Sequence, residues 1–597
     1  MKDEPTYIGR ILRVTGAKVL IEITRELPSA SPIIDGRIHR IGQIGTFVKI
    51  VIGLYRLYAV VSMVGVSETM ALQEEIAPVA GRRWMEAQLV GEIAGNLPFQ
   101  RGVSISPTID DEVHVVTEAD LEQIYIESGA APVHIGHHAS SETLRATIDL
   151  QKFVTRHAGI FGSTGSGKSN AIAALLKAVA SSGYSNAHIL IFDLHGEYGT
   201  ALSNEAEVLT IGSSVRPLTV PYWALPYEEF AWFFMDKKSS ESLQDLYMRE
   251  RIFEKKLESA KGMPGLDPDK VTLTADSPIP FDLKSLWYEL DFAERATFKT
   301  NQCTPGEEEL ISKGDARGVA SAKFKPPGLG SAAPFRNKAA IGIAPQLGRI
   351  AARLRDRRFS FLCDPGDYGL GGKDLDVLLS HWLSHGKPIT IFDLGGMPVE
   401  VVDLVVAAVS RIVFEIGFWG RDLKGVGRQA PTLMIFEEAH GYLPSGPQSA
   451  FIQGFARKAV QRVVKEGRKY GVGALVVSQR PSELDETILS QCGTILALRL
   501  SNPQDQARIA SVLPDSIAGI MDILPALRTG EAVIVGESLP IPSRVRFPRI
   551  EPRPKSDDPE VYKHWLGNPT SDADFGTAVR AWRTQDVTAY KSIKEGP

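Results

Sequence analysis

Hydrophobic positions change their rhythm along this chain. From residue 6 to about 95 they come in short runs rich in Ile, Val and aromatics (YIGRILRVTGAKVLIEI, GRIHRIGQIGTFVKIVI, LYRLYAVVSMVG), with glycine turns between them. β-Branched residues at this density predict a small β-barrel or sandwich over residues 1–95. No cluster of catalytic residue types occurs there, so a packing or docking role is expected.

From about residue 150 the apolar runs HAGIF, HILIFD, ITIFDL, TLMIFEE, GALVVSQ, TILALRL and EAVIVG are separated by longer helical stretches. That alternation predicts an α/β core built on a parallel sheet covered on both faces. Each run ends in polar residues, and open parallel sheets bind ligands beyond those ends. The core is expected in two parts, 96–225 and 386–550. Between them, 226–385 mixes acids and bases at helical spacing and then becomes Gly/Pro-rich (KFKPPGLGSAAPFRNKAA), which predicts a helical insertion with an exposed loop. The Pro-rich, charged 551–597 predicts a C-terminal extension, either laid over a neighbouring subunit or partly disordered.

Composition adds limits. With 66 basic and 71 acidic residues among 597, the net charge is −5, so no global positive field draws the chain to nucleic acid. Any DNA contact must be local. Two basic clusters offer one: Arg353, Arg355, Arg357 and Arg358 in RLRDRRF, and Lys323, Lys325, Arg336 and Lys338 in the Gly/Pro-rich loop. Solvated charge explains either cluster equally well. Cys303, Cys363 and Cys492 lack CxxC spacing, which suggests neither a disulfide framework nor a zinc site and fits a reducing cytosol. The start MKDEPTYIGR has no signal-peptide core, and Lys49, Arg56, Asp403, Arg411 and Glu415 interrupt the longest apolar stretches. A cytoplasmic protein with no membrane span is expected.

The most specific chemical signal is GSTGSGKS. Gly162, Ser163, Thr164, Gly165, Ser166, Gly167, Lys168 and Ser169 match GxxxxGK[ST] after an apolar strand and before the helical NAIAALLKAVA, the context of a P-loop. Backbone amides there, Asn170 closing the stretch, would cradle ATP phosphates; Lys168 would neutralise them, and Ser169 would ligate Mg2+. TLMIFEEAH ends in Glu437 and Glu438 where such strands usually end in Asp and Glu. Glu438 is expected to orient the attacking water, with Glu437 holding the Mg2+ shell through water. Asp193 and Glu197 flank His195 in DLHGEY and can reach that shell too, and His440 reads as an orienting group. Gln479, at the tip of GALVVSQ, suits γ-phosphate sensing or the capping of a buried backbone group. Arg468 ends the helix-like FARKAVQRVVKEGRKYG, either pointing into a neighbour's site or offsetting the helix dipole, a part better suited to Lys465 and Lys469.

Together GSTGSGKS, DLHGEY, IFEEAH, KEGRKYG and SQRPSELDETILSQCGTILALRLSNPQDQ resemble the HerA family within the HerA and FtsK group of ring ATPases, over the barrel and the ATPase core. The resemblance implies a RecA-like P-loop core and a homo-hexamer that translocates double-stranded DNA. It casts Lys168, Ser169, Glu438 and Gln479 as the nucleotide machinery, Arg468 as a trans-acting arginine and Arg156 as a second interface arginine near the nucleotide. It also implies a nuclease or sirtuin-type effector docked on the barrel face, in DNA end processing or anti-phage defence. An ATPase ring that mainly organises an effector, and a conjugation or secretion ATPase, are the competing readings.

Overall fold

The computed structural model describes residues 6–24, 33–34, 37–38, 41–66, 82–126, 132–139, 143–213, 215–236, 242–330, 332–446, 453–513, 518–555, 561–566 and 574–584. They form two compact units: residues 1–206, 387–389 and 414–557, and residues 207–386, 390–413 and 558–597.

The first unit opens with a barrel. Its strands are β1 (Tyr7–Thr15), β2 (Lys18–Ile23), β3 (Phe47–Ile52), β4 (Tyr55–Val66), β5 (Arg83–Ala94) and β6 (Glu112–Val115). Side chains alternate in and out along β2, and Ile8, Ile11, Val19, Ile21, Ile50, Leu57 and Met85 fill the interior. The strand order β2-β1-β6-β3-β4-β5 returns to β2 through pairing of Lys18–Glu22 with Trp84–Gln88, so the sheet closes. β6 lies past residue 95; it enters between β1 and β3, and the barrel is incomplete without it.

The same unit carries a nine-stranded part of a sheet: β7 (Pro132–His138), β8 (Arg145–Asp149), β9 (Ala158–Phe161), β10 (His188–Asp193), β11 (Thr432–Phe436), β12 (Val472–Ser478), β13 (Thr494–Ala497), β14 (Glu531–Gly536) and β15 (Ser543–Arg546), in the order β8-β7-β15-β14-β13-β9-β12-β11-β10. β13, β9, β12, β11 and β10 are parallel. The rest is antiparallel, including EAVIVG, which the apolar pattern placed in the parallel set: β14 turns straight back into β15 through a short connection that only antiparallel strands can use. Apolar strands buried on both faces read alike whichever way they run.

The second unit contains helices at Tyr227–Met235, Leu243–Ala260, Leu283–Arg295, Ala344–Arg355 and Leu375–Leu383, with the short strand pairs Thr297–Phe298/Phe335–Arg336 and Leu310–Ser312/Lys323–Phe324. In it, residues 390–393 neighbour residues 207–210. The C-terminal residues include helices Val561–Trp565 and Phe575–Thr584, so that stretch is not wholly extended. Among the described residues no helix is long and apolar enough to cross a membrane.

Lys256 is the unusual core residue of the second unit. Only 2% exposed, its ammonium donates to the carbonyls of Ala275 and Ser277 at 2.7 Å and of Trp223 at 3.2 Å. Burial pushes its pKa down to about 7. From pH 7 to about 10 the unfolded chain therefore holds a proton that the folded chain has released, and stability rises with pH. The slope approaches about 1.4 kcal/mol per pH unit. Thermal unfolding followed by the buried Trp223, Trp287 and Trp382 checks this: the rise is expected in the wild type and absent in Lys256→Met.

Candidate active site

β9 is buried along its whole length and has parallel neighbours on both sides, β12 and β13, so the loop leaving it opens between two parallel strands. That loop turns into α1 (Lys168–Ser181). Gly165 and Gly167 have φ of 72° and 92°, values that L side chains resist. A Cβ on Gly167 would also stand 2.8 Å from the Gly530 nitrogen. Left-handed residues spaced this way make a concave nest of backbone amides, set here at a helix N-terminus, where anions are favoured. The loop is held from outside. Ser163 N and Oγ donate to the Arg499 carbonyl at 2.9 Å, and Gly530 N donates to Ser166 O at 2.9 Å. Gly165 O accepts from Thr529 Oγ1 and from the Arg499 guanidinium. Ser166 Oγ is buried with no hydrogen-bond partner among the described residues. This cradle fits a polyphosphate.

Facing it is Glu438, just beyond β11. Its backbone is left-handed (φ 45°, ψ 43°), a strained state for a residue other than glycine. The turn aims its carboxylate at the loop, where Oε1 accepts from Lys168 Nζ at 2.6 Å and from Gln479 Nε2 at 2.5 Å. Thr164 Oγ1 in turn donates to Gln479 Oε1 at 2.5 Å. Gln479 thus bridges the phosphate loop and the acid, and among the described residues its side chain caps no backbone group. Burial alone would raise the Glu438 pKa; Lys168 and Gln479 outweigh it and hold the carboxyl below its usual range. His440 Nδ1 lies 3.3 Å from Glu438 Oε2, and burial lowers its pKa, so it stands beside the acid as a neutral imidazole.

A second group of acids lies behind Ser169. The Ser169 hydroxyl hydrogen-bonds Glu197, whose pKa burial raises and that bond partly restores. Glu437 is 1% exposed; burial first, then Asp193 and Glu197, drive its pKa far up. Tyr198 Oη donates to its Oε1 at 2.7 Å. Asp193 is used differently: Oδ1 accepts from the amides of His195, Gly196 and Glu197, and Oδ2 from Tyr198. Those bonds shape the turn that delivers Glu197 and Tyr198, leaving Asp193 little capacity toward a metal shell. Among the described residues no three His, Cys, Asp or Glu side chains form a metal cluster. A Mg2+ here would take a hydroxyl, phosphates and water, its usual manner.

Other residues lie away from the loop. Asn170 turns its side chain to the segment after β15, donating to Pro548 O at 2.9 Å and accepting from Ile550 N at 3.0 Å, so only its backbone is left for a nucleotide. Arg468 follows α2 (Phe455–Glu466) and precedes β12, whose seven residues separate it from Gln479. At about 3.3 Å per residue that is roughly 23 Å, too far to serve its own chain's cradle. Arg468 is exposed and takes no ion pair among the described residues. Arg156 lies before β9 on that same edge, paired with Glu537 at 3.0 Å, so any nucleotide it touches belongs to another copy. His157 sits between these arginines with φ 56°, its Nδ1 accepting from Ala474 N at 3.1 Å, and burial pushes its pKa to about 4. No sequence signal marks His157 or Tyr198. Arg499, Thr529 and Gly530, far from the loop in sequence, are also found only through contacts.

Residues 133–413 match the family model described as Helicase HerA, central domain, and residues 424–556 the one described as Helicase HerA-like C-terminal. A Saccharolobus solfataricus protein named DNA double-strand break repair helicase HerA is 25% identical over 482 residues, 80% of this chain and 81% of that protein. Probable helicase MJECL08 of Methanocaldococcus jannaschii is 25% identical over 458 residues, 73% of this chain and 74% of its own length. Among solved structures, VirB4 of Thermoanaerobacter pseudethanolicus aligns with a TM-score of 0.44 at 14% identity, over 71% of this chain and 98% of that one.

Proposed function

Because the chain belongs to the HerA family, we propose that it is a homo-hexameric ring ATPase that drives translocation along double-stranded DNA. The observation that carries the reading is the network of Lys168, Glu438, Gln479 and Thr164, which ties a phosphate-binding lysine to an ionised carboxylate and a sensing amide. ATP in the cradle draws Lys168 off Glu438 and onto its phosphates, and the released carboxylate orients the attacking water. Bound Mg2+ would neutralise phosphate charge, held directly by Ser169 and through water by Glu437 and Glu197, with Asp193 setting the turn behind them. Arg468 and Arg156, on the far edge of the sheet, are assigned to the neighbouring subunit's nucleotide, which makes each site a product of ring assembly.

Duplex DNA is the substrate to test, since relatives carry the name of double-strand break repair helicases. Of the two basic clusters, the loop is favoured. Arg353 donates to Phe233 O and stacks between Phe233 and Phe359, Arg355 donates to Val319 O, and Arg358 pairs with Asp356, so three of the four arginines of RLRDRRF are committed internally and only Arg357 is exposed with no ion pair among the described residues. Lys325 pairs with Glu309, whereas Lys323, Arg336 and Lys338 are exposed and take no ion pair among the described residues. A nuclease, sirtuin-type or other effector is assigned to the barrel face, where Leu54 and Val66 stand exposed.

ATP hydrolysis measured with and without duplexes of unrelated sequence tests the reading, with the ring's mass measured alongside. Stimulation independent of sequence is expected. Neutralising Lys323, Arg336 and Lys338 together is expected to flatten the salt dependence of DNA binding by about 0.9 in slope per lost contact. An intact ring with no salt-dependent DNA binding would instead favour an ATPase that mainly organises its effector.

A further inference from the structure

A cavity of about 810 Å3 lies in the first unit between the barrel and the antiparallel strands of the sheet, away from the phosphate cradle. That volume is typical of sites for small organic molecules. One wall is apolar and comes from the barrel and the segment after it, including Ile8, Phe47, Val48 and Leu121. The opposite wall carries Arg528, Glu531, Arg544, Arg546 and His138.

The charges in that wall do not balance. Glu531, 2% exposed, takes Arg544 at 2.6 Å and Arg546 at 3.2 Å, so one carboxylate stands between two guanidinium groups. Arg528 adds a third and takes no ion pair among the described residues. The other acid of the lining, Glu118, accepts the Thr143 hydroxyl. Three guanidinium groups against two carboxylates leave the cavity positive. His138 supplies an independent sign: it is 6% exposed, and its Nε2 is buried with no hydrogen-bond partner among the described residues. A buried polar atom left unpaired costs about 1–3 kcal/mol unless something in the cavity satisfies it.

We infer that this cavity binds a phosphate monoester of mononucleotide size, its oxyanion on the forks of Arg528, Arg544 and Arg546 and its organic body against the barrel wall. Guanidinium forks pair with phosphate oxygens, and three of them suit the three terminal oxygens and double charge of a phosphate monoester better than the two oxygens of a single carboxylate. The site is separate from the ATP cradle and would hold even if DNA were not the substrate. It is also wired to the cradle. Arg528 and Glu531 face the cavity, and the two residues between them, Thr529 and Gly530, are those that grip Gly165 and Ser166. An occupant that pulls on Arg528 or loosens the Glu531 pairs acts on the phosphate loop through a two-residue lever.

The test uses the full chain carrying Lys168→Ala, which weakens the ATP cradle, and calorimetric titration with AMP and, separately, with citrate. AMP is expected to bind at one per chain with a Kd below about 1 mM. Arg528→Gln, at an exposed position, and His138→Phe are each expected to weaken it about tenfold, with the thermal unfolding of each variant confirming a folded chain. Absence of AMP binding at millimolar concentration would overturn the proposal. So would AMP binding that neither substitution weakens, because it would lie elsewhere, and so would binding of citrate without AMP, because the anion would be a carboxylate.

Discussion

Glu438→Gln is expected to hold ATP more tightly than the wild type while hydrolysing it at less than about one hundredth of the wild-type rate. The loss follows from removing a carboxylate whose pKa is held low beside the cradle. The gain follows from what the nucleotide must otherwise displace: Lys168 and Glu438 form an ion pair with side chains only 8% and 9% exposed, and ATP has to break it. A neutral amide competes less for the ammonium, so the affinity should rise several-fold, an effect on the scale of about 1 kcal/mol. Nucleotide binding measured by fluorescence, and phosphate release measured separately, give the two halves. Lys168→Ala is expected to lose binding itself. Turnover near the wild-type rate in the Gln variant would remove Glu438 from the water-orienting role, and weaker ATP binding would mean that the ion pair does not compete with nucleotide.

Arg468→Ala is expected to bind ATP normally and to lose about a thousandfold or more in rate, the scale of an arginine finger. The argument is geometric: the side chain is exposed and lies a full strand's length from its own cradle, so any catalytic contribution has to be made to another copy. Rings co-assembled from Arg468→Ala and Glu438→Gln chains supply the decisive measurement. Some interfaces then combine an intact Arg468 with an intact Glu438, and activity should recover above that of either variant alone. No recovery in rings whose mixed composition has been verified by mass would mean that the arginine does not complete a shared site.

Much of this site could be read from the chain because its parts are local in sequence. A glycine-rich loop between an apolar strand and a helix specifies its own backbone, so the loop at 162–169 is legible in the sequence, and polar residues at strand ends single out Glu438 and Gln479, which the fold brings into contact. What could not be read depends on distant segments meeting. Thr529 and Gly530 clamp a loop more than 350 residues away, and nothing in LRTGEAV declares it. The barrel's last strand was missed because four residues, EVHV, are too few to show a period. Side-chain allegiance is equally hidden: Asn170 stands beside the P-loop in sequence yet binds Pro548 and Ile550, and Arg353 and Arg355 of RLRDRRF look free until their carbonyl and ring partners are seen. Charge patterns state how many ionic groups a segment has, not whether the fold has already used them.

The cyclic pairing of the barrel restricts how any other protein can recognise it. Each of its six strands already has a neighbour on both sides, so among the described residues the barrel has no open edge whose amides and carbonyls could accept an added strand. A docking protein must therefore be recognised by side chains and loops on the barrel's outer surface, not by backbone pairing, which is largely indifferent to sequence. Substitutions at exposed positions such as Leu54 can then change which protein is accepted while leaving the buried residues that hold the barrel together untouched. The choice of any partner would thereby be written in residues other than those that hold the fold, and could diverge without endangering it.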